Sequence, residues 1–392
     1  MQMQNISASE KFYIYKRIDS AKLKTTKKKI IVSVTNDLVS DNRVHKVCTT
    51  LLQMGFDVLL VGRMLPHSAN IQRDYGIKRM MLIFKKGPFF YAEYNLKLFC
   101  FLLFAKSNVL LSNDLDSLAA NYFASTIRNK PLVYDSHEYF TEVPELIGRP
   151  RIQKIWERIE AGILPKIKYA YTVCDSIAKV YRQKYGTDFK VVRNLPRSRK
   201  LALKKTENET KIVLYQGAVN VARGLKQAIL AMKYLDGVEF VIAGDGDIKT
   251  KLEELVKAEK LENKVRFTGR LPLEKLEELT IQADLGLSIE EDFGLNYRFT
   301  LPNKLFDYIQ AQVPVLVTNL PEMAAIVDKY QVGTITDSLD PELLAKKIKE
   351  SLFDQEKRKI WKENLPAAAK ELVWENEEKV LVEIFSNVIV TK

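Results

Sequence analysis

Cysteine is scarce in this chain. Cys48, Cys100 and Cys174 lie far apart, are odd in number and form no Cys-x-x-Cys pair. That excludes a disulfide framework and points to a reducing compartment, the cytoplasm. Histidine is as rare: His45, His67 and His137 are the only three, and none has a second histidine or a carboxylate at ligand spacing on a helix. No bound metal or cofactor is therefore expected. The longest apolar run, Leu98 to Ala105, has eight residues, whereas a spanning helix needs about twenty. Residues 1–28 are polar and lack the apolar core of a signal peptide. Glycine-rich nucleotide loops are missing as well. The loop from Thr35 to Asp41 holds no glycine, and Gly244-Asp245-Gly246 is followed by Lys249 where a dinucleotide fingerprint requires its third glycine. NAD or FAD chemistry and P-loop hydrolysis are thereby excluded.

What is present is an ordinary globular composition, 46% hydrophobic and 28% charged, which argues against disorder over most of the chain. At 392 residues it is long enough for two domains. The net charge of +12 is unevenly placed: residues 1–200 carry 34 Lys and Arg against 17 Asp and Glu, and the remainder 27 against 32. A first half of +17 beside a second of −5 suits an anionic surface or ligand. No zinc-finger spacing, RNP-like strand or recognition-helix signature accompanies it, so an anionic membrane is favoured over nucleic acid. Solvated lysines without a partner are the alternative. Residues 90–106 add Phe99, Phe101, Leu102, Leu103 and Phe104 beside Lys97 and Lys106, a helix that suits either a membrane surface or the domain core.

Short β-branched runs alternate with helical stretches along both halves. In the first, the pattern predicts strands at 30–34, 58–61, 80–84, 109–112, 132–135, 169–173 and 190–192, with helices at 43–54, 90–106, 115–128, 152–165 and 176–185. The second restarts at 212–215, with further strand-like apolar runs at 283–288 and 315–317. Its helices are predicted near 225–233, 249–260, 272–282, 303–312, 321–329 and 341–352, with an amphipathic segment at 374–389. This alternation implies an α/β fold of two doubly wound, Rossmann-like domains facing a central cleft. The expected division is a basic lead-in at 1–28, a first domain at 29–198, a linker at 199–211, a second domain at 212–370 and a terminal helix at 371–392.

Residues 302–314 carry the strongest chemical signal. Pro302 precedes a helix whose Leu305, Phe306 and Ile309 form one apolar face, with Lys304 and Asp307 three apart on another. A helix N-terminus with a lysine in its first turn is suited to phosphate, and a carboxylate one turn on can accept two ribose hydroxyls. A plain surface Lys–Asp pair is the alternative reading.

This stretch resembles the Pro-x-Lys-x-x-Glu helix of retaining GT-B glycosyltransferases of the family-4, or group 1, type. Tyr215-Gln216-Gly217 with Arg223-Gly224-Leu225, the run 241–246, the run 265–269, the run 283–288 and the turn at Asp135-Ser136-His137-Glu138 are similar to that family's motifs in order and spacing, over roughly residues 29–385. The resemblance implies transfer of a sugar from a nucleotide-diphospho-sugar to a hydroxyl with retention, in cell-surface polysaccharide or glycolipid synthesis. It assigns catalytic roles to His137, Arg223 and Lys304, and donor contacts to Gly217, Arg223, Gly244, Glu291, Phe293, Gly294, Lys304 and Asp307. Acceptor contacts fall on Asn36, Asp41, Arg43, His137 and Glu138, and a lipid-linked acceptor fits a basic first half.

Two departures from the family pattern stand out. Ala218 follows Gly217 without the usual second arginine, leaving Arg223 and Lys304 as the phosphate cations. Asp307 lies sixteen residues beyond Glu291 rather than eight, so Glu290 rivals Glu291 as the sugar contact. Asp114 and Asp116 form an Asp-x-Asp in the wrong half for a metal–diphosphate site. A GT-B nucleotide-sugar epimerase and a catalytically degenerate, membrane-associated assembly subunit are the alternatives.

Overall fold

The first strand, Lys29–Ser33, is buried on both faces along nearly its whole length, as expected for a parallel strand covered by helices on each side. The computed structural model describes residues 27–198 and 209–390, apart from Ser40 and His67. Most of the basic lead-in and of the 199–211 linker lie outside the described residues.

The first sheet contains β1 (Lys29–Ser33), β2 (Asp57–Arg63), β3 (Gly76–Met80), β4 (Val109–Asn113), β5 (Leu132–Ser136), β6 (Tyr169–Thr172) and β7 (Phe189–Val191). Their order is β3-β2-β1-β4-β5-β6-β7, all parallel, with Ile30 opposite both Val58 and Val109. Helices α1 (Asn42–Gln53), α2 (Pro88–Phe104), α3 (Leu115–Arg128), α4 (Pro150–Ile163) and α5 (Asp175–Tyr185) connect them. Local chemistry fixes several ends. Asp41 caps α1 by accepting from Val44 N, Pro88 and Pro150 sit in first turns, and Gly186 closes α5 in the left-handed region.

The second sheet contains β8 (Lys211–Gln216), β9 (Val238–Ala243), β10 (Val265–Gly269), β11 (Leu285–Ser288), β12 (Val315–Thr318) and β13 (Gly333–Thr336), in the order β10-β9-β8-β11-β12-β13. Around it lie α6 (Leu225–Ala231), α7 (Lys249–Ala258), α8 (Leu273–Gln282), α9 (Leu295–Arg298), α10 (Asn303–Gln310), α11 (Pro321–Tyr330), α12 (Pro341–Phe353), α13 (Gln355–Glu371) and α14 (Trp374–Val390). In each sheet the strand order reverses at one point, between β1 and β4 and between β8 and β11, and ligands in such sheets bind outside the strand ends there. The two switch points face each other. This is the GT-B arrangement of two Rossmann-like domains.

Helix α14 returns to the first domain. Leu381, Ile384, Phe385 and Val388 join Val44, Val47 and Leu51 in one buried cluster, and Trp374 Nε1 donates to Thr50 Oγ1 over 3.2 Å.

Several elements differ from the sequence reading. The third strand is Gly76–Met80, not 80–84; Ile83 and Phe84 turn their N–H groups to the Glu93 carboxylate instead of a ladder. Helix α13 went unpredicted because Pro366 inside it reads as a breaker. Strand β13 has a single large apolar residue, Ile335, and gives no run to detect.

Candidate active site

Between the switch points lies a cavity of about 920 Å³. Its second-domain wall is built from the β8 loop and the start of α10. Lys304, in the first turn of α10, is buried, and its Nζ lies 2.7 Å from Glu290 Oε1. Arg223 Nη1 approaches the same oxygen at 3.5 Å, while Ser288 Oγ donates to Glu290 Oε2 at 2.9 Å. Burial alone would push the Glu290 carboxyl up, but Lys304 and Arg223 outweigh it and hold the group below the usual carboxylate range. Lys304 also sits 4.2 Å from the centre of the Tyr215 ring. Two cations of the cavity wall therefore converge on one carboxylate buried behind it.

Asp307 follows one turn later on the cavity wall and accepts from Gln216 Nε2 at 3.2 Å. Gln216 is oriented in turn by Thr280, whose hydroxyl donates to Gln216 Oε1 over 2.7 Å. Gly217 lines the cavity with φ +133°, and a Cβ there would come within 3.5 Å of Lys304 Cε. Gly244 acts one layer back, outside the cavity wall. A Cβ on it would lie 1.8 Å from the Gly217 carbonyl oxygen, so its bareness lets the donor-side loop pass.

The motif around Glu291 is placed differently from expectation. Glu291, Phe293 and Gly294 are not in the cavity wall. The Phe293 side chain is 54% exposed, and Gly294 faces Ile147 of the first domain. The residue that meets Lys304 is Glu290, the end of the straight path from β11. The extra residues after Gly294 form α9 and cross to the first domain. Asn296 accepts from Tyr139 N at 3.0 Å and donates to Glu138 Oε2 at 3.3 Å. Phe299 and Leu301 pack against the first domain's core, and Tyr297 brings its ring within 5.8 Å of Arg223.

The first-domain wall gathers Asn36, Asp41, Arg43, His137 and Glu138. Asp41 both caps α1 and accepts from Asn36 Nδ2. Arg43 is buried: its Nε and Nη2 reach the two oxygens of Asp135, at 3.2 and 2.8 Å, and its Nη1 donates to Val192 O. Its hydrogen-bonding capacity is largely spent inside the domain.

His137 has both ring nitrogens engaged. Nδ1 faces Asp114 Oδ2 at 3.2 Å, while Nε2 faces Asp135 Oδ2 at 3.0 Å and Asn113 Oδ1 at 3.2 Å. Burial would lower its pKa, but the two carboxylates outweigh that and raise it to about 10. Asp114 is itself raised by burial to about 8. Its backbone has φ +57° and ψ +165°, a region nearly reserved for glycine, and is held there by Asp114 N donating to Asp135 O and His137 N donating to Asp114 Oδ1. With both ring nitrogens engaged, His137 is held rigidly in the first-domain wall of the cavity. Among the described residues no cluster of histidine, cysteine and carboxylate side chains is arranged to hold a metal ion.

Residues not anticipated from sequence include Gln216, Asn296 and Lys46. Gln216 had one available signal, a polar residue closing an apolar strand. Lys46 donates to Leu195 O and lies over the Trp374 ring. Burial first, then Arg43 and Arg197, lower its pKa to about 7.

Residues 198–367 match the family model of glycosyl transferases group 1. Over these residues the chain is similar to a group 1 glycosyl transferase domain. They include Lys304, Arg223, Glu290 and Asp307. A curated relative, the D-inositol 3-phosphate glycosyltransferase of Corynebacterium urealyticum, is 30% identical over 139 residues, covering 34% of this chain and 30% of that protein. The chain thus spans under a third of that relative's length. Among solved structures, sucrose-phosphate synthase from Thermosynechococcus elongatus superposes with a TM-score of 0.77 at 15% identity, over 93% of this chain and 100% of the other. The Anabaena protein HepE, solved in complex with UDP-glucose, gives 0.67 at 14% identity, over 92% and 99%. At these identities the two domains share a fold with those proteins.

Proposed function

We propose that this protein transfers a sugar from a nucleoside-diphospho-sugar to a hydroxyl group, with retention of anomeric configuration. The observation that carries the reading is the pair Lys304 and Arg223, which both line the interdomain cavity and converge on Glu290 buried behind its wall. When the bond between sugar and diphosphate breaks, negative charge grows on the leaving phosphate. Cations already fixed in place stabilise that charge without reorganising. Lys304, Arg223 and the free N–H groups at the start of α10 supply them, so no metal is required. Asp307, steadied by Gln216, receives the ribose hydroxyls. On the other wall His137, held between Asp114 and Asp135, keeps those two carboxyl groups in position.

Retention is supported by the resemblance of the site motifs to retaining GT-B enzymes. With no base required on the opposite face, the departing phosphate takes the proton of the attacking hydroxyl. The acceptor is a hydroxyl of a cell-surface polysaccharide or glycolipid intermediate, lipid-linked and met at the inner face of the membrane; the basic first half supports this. HepE was solved with UDP-glucose, so uridine nucleotides are the first donors to test. A thermal-shift screen over a panel of nucleotide sugars should give one stabilising donor, and NMR of the product should show the donor's anomeric configuration. Stabilisation by none of the panel, or an inverted product, would overturn the reading.

A further inference from the structure

Helix α2 is apolar on two opposite faces. Phe90, Tyr94, Leu98 and Leu102 point into the first domain's core. Phe89, Leu96, Cys100 and Phe104 recur at helical spacings of seven, four and four residues on the outside, where Phe89 is 68% and Phe104 88% exposed. Of Phe99, Phe101, Leu102, Leu103 and Phe104, which suited either a membrane surface or the core, only Phe104 is exposed, the others being buried or half-buried. An apolar helix face is normally covered; of these two, only the inner one is.

The exposed stripe continues into the loop before the helix, where Met81 is 75% and Ile83 79% exposed. This loop is held in place. Glu93 accepts from Ile83 N and Phe84 N, Lys97 bridges Glu93 and Met81 O, and the rings of Phe84 and Phe89 lie 5.3 Å apart. Its apolar tips are thus presented outward by a built scaffold.

Charge selects the occupant. Residues 78–106 contain six Lys and Arg and one acid, Glu93, and that acid is consumed within the loop. Two copies of this face would set lysine against lysine, whereas an anionic bilayer takes both the apolar tips and the cations. A hollow of about 290 Å³ between Met64, Met81 and Phe84, edged by Arg63 and Lys85, opens at the ends of β2 and β3. Arg63 is held there with its guanidinium over the Phe90 ring, 4.8 Å from the centroid, and its Nη1 donating to Lys85 O at 3.3 Å. These strand ends lie on the cleft side of the first sheet.

We propose that the loop at 81–87 and the outer stripe of α2 dock on an anionic lipid bilayer. This deepens the transferase reading, on which it rests for bringing a lipid-linked acceptor to the cleft mouth. Vesicle sedimentation of the full chain tests it, with phosphatidylcholine vesicles made with and without phosphatidylglycerol. Binding should require phosphatidylglycerol and weaken as salt is raised. Lys85→Gln with Lys86→Gln should reduce partitioning about thirtyfold, and Ile83→Ser with Phe89→Ser at least about tenfold. All four side chains are exposed, so UDP binding and thermal midpoint should not change. Equal binding to both vesicle types, insensitivity to both variants, or a dimer that the Ile83/Phe89 variant dissolves would overturn the docking. Vesicle binding as described without stabilisation by any nucleotide sugar of the panel would sink the transferase reading and leave the docking standing; donor stabilisation without vesicle binding would do the reverse.

Discussion

Lys304 Nζ and Glu290 Oε1 lie 2.7 Å apart, and both side chains are buried, 9% and 0% exposed. The proposed phosphate-binding lysine is therefore also a structural ion pair, unlike Arg223, which is 27% exposed. The two cations of one site should behave differently when removed.

Lys304→Ala strands a buried carboxylate and is expected to cost about 3 kcal/mol of stability, while Arg223→Ala should leave the unfolding midpoint nearly unchanged. Each should weaken nucleoside-diphosphate binding by about 1.5–3 kcal/mol. Calorimetric titration with UDP alongside chemical denaturation separates the two effects. Unchanged affinity in both variants would remove the donor-site assignment.

The His137 imidazolium should survive well above neutrality. With only three histidines in the chain, one NMR ring resonance should titrate near pH 10 and vanish in His137→Asn. The folded pKa of about 10 exceeds the ordinary value near 6.5. Its stabilising contribution is thus complete below about pH 6.5 and is lost as pH rises through about 10. Asp114, also raised, acts in the same direction. The unfolding midpoint of the wild type should fall over this window more steeply than that of His137→Asn.

Chelation should leave turnover intact, because protein cations carry the phosphate charge in the proposed site. Activity with the stabilising nucleotide sugar, measured before and after EDTA treatment, gives the answer directly. A strict dependence on added divalent ion would relocate the diphosphate.

Gly244→Ala should be severely destabilising, at about 3 kcal/mol or more, since its new methyl would meet the Gly217 carbonyl oxygen at 1.8 Å. Gly217→Ala has more room around it, although its φ of +133° still disfavours a side chain. A thermal melt that leaves Gly244→Ala near the wild type would mean the loop takes another path.

Most strands of both sheets, β3 and β13 apart, were legible because they are short β-branched runs between helical periods, as at Ile30 to Val34. The helix of Lys304 and Asp307 was legible for the same reason: an apolar face and a proline fix its orientation. Long-range pairing was not. Nothing local distinguishes Glu290 from Glu291; only the exit direction of β11 turns the former toward Lys304. His137 read as a polar turn residue, while its two carboxylate neighbours come from separate strand ends, and Asp114 requires a backbone angle that its residue type does not suggest. Asn296 fell in what looked like inserted loop, and its partners Glu138 and Tyr139 lie more than 150 residues upstream.

The return of α14 ties the first domain to the order of synthesis. Trp374, Leu381, Phe385 and Val388 complete the buried cluster beneath α1, yet they are made after the whole second domain. At ribosomal rates of roughly 5–20 residues per second, one face of the first sheet waits on the order of 10–40 s for its cover. Until then, Val44, Val47 and Leu51 present an uncovered apolar surface. The last turns of the chain therefore act as a closing seal, and a nascent protein halted before residue 374 would be a client for chaperones rather than a folded domain with a missing tail.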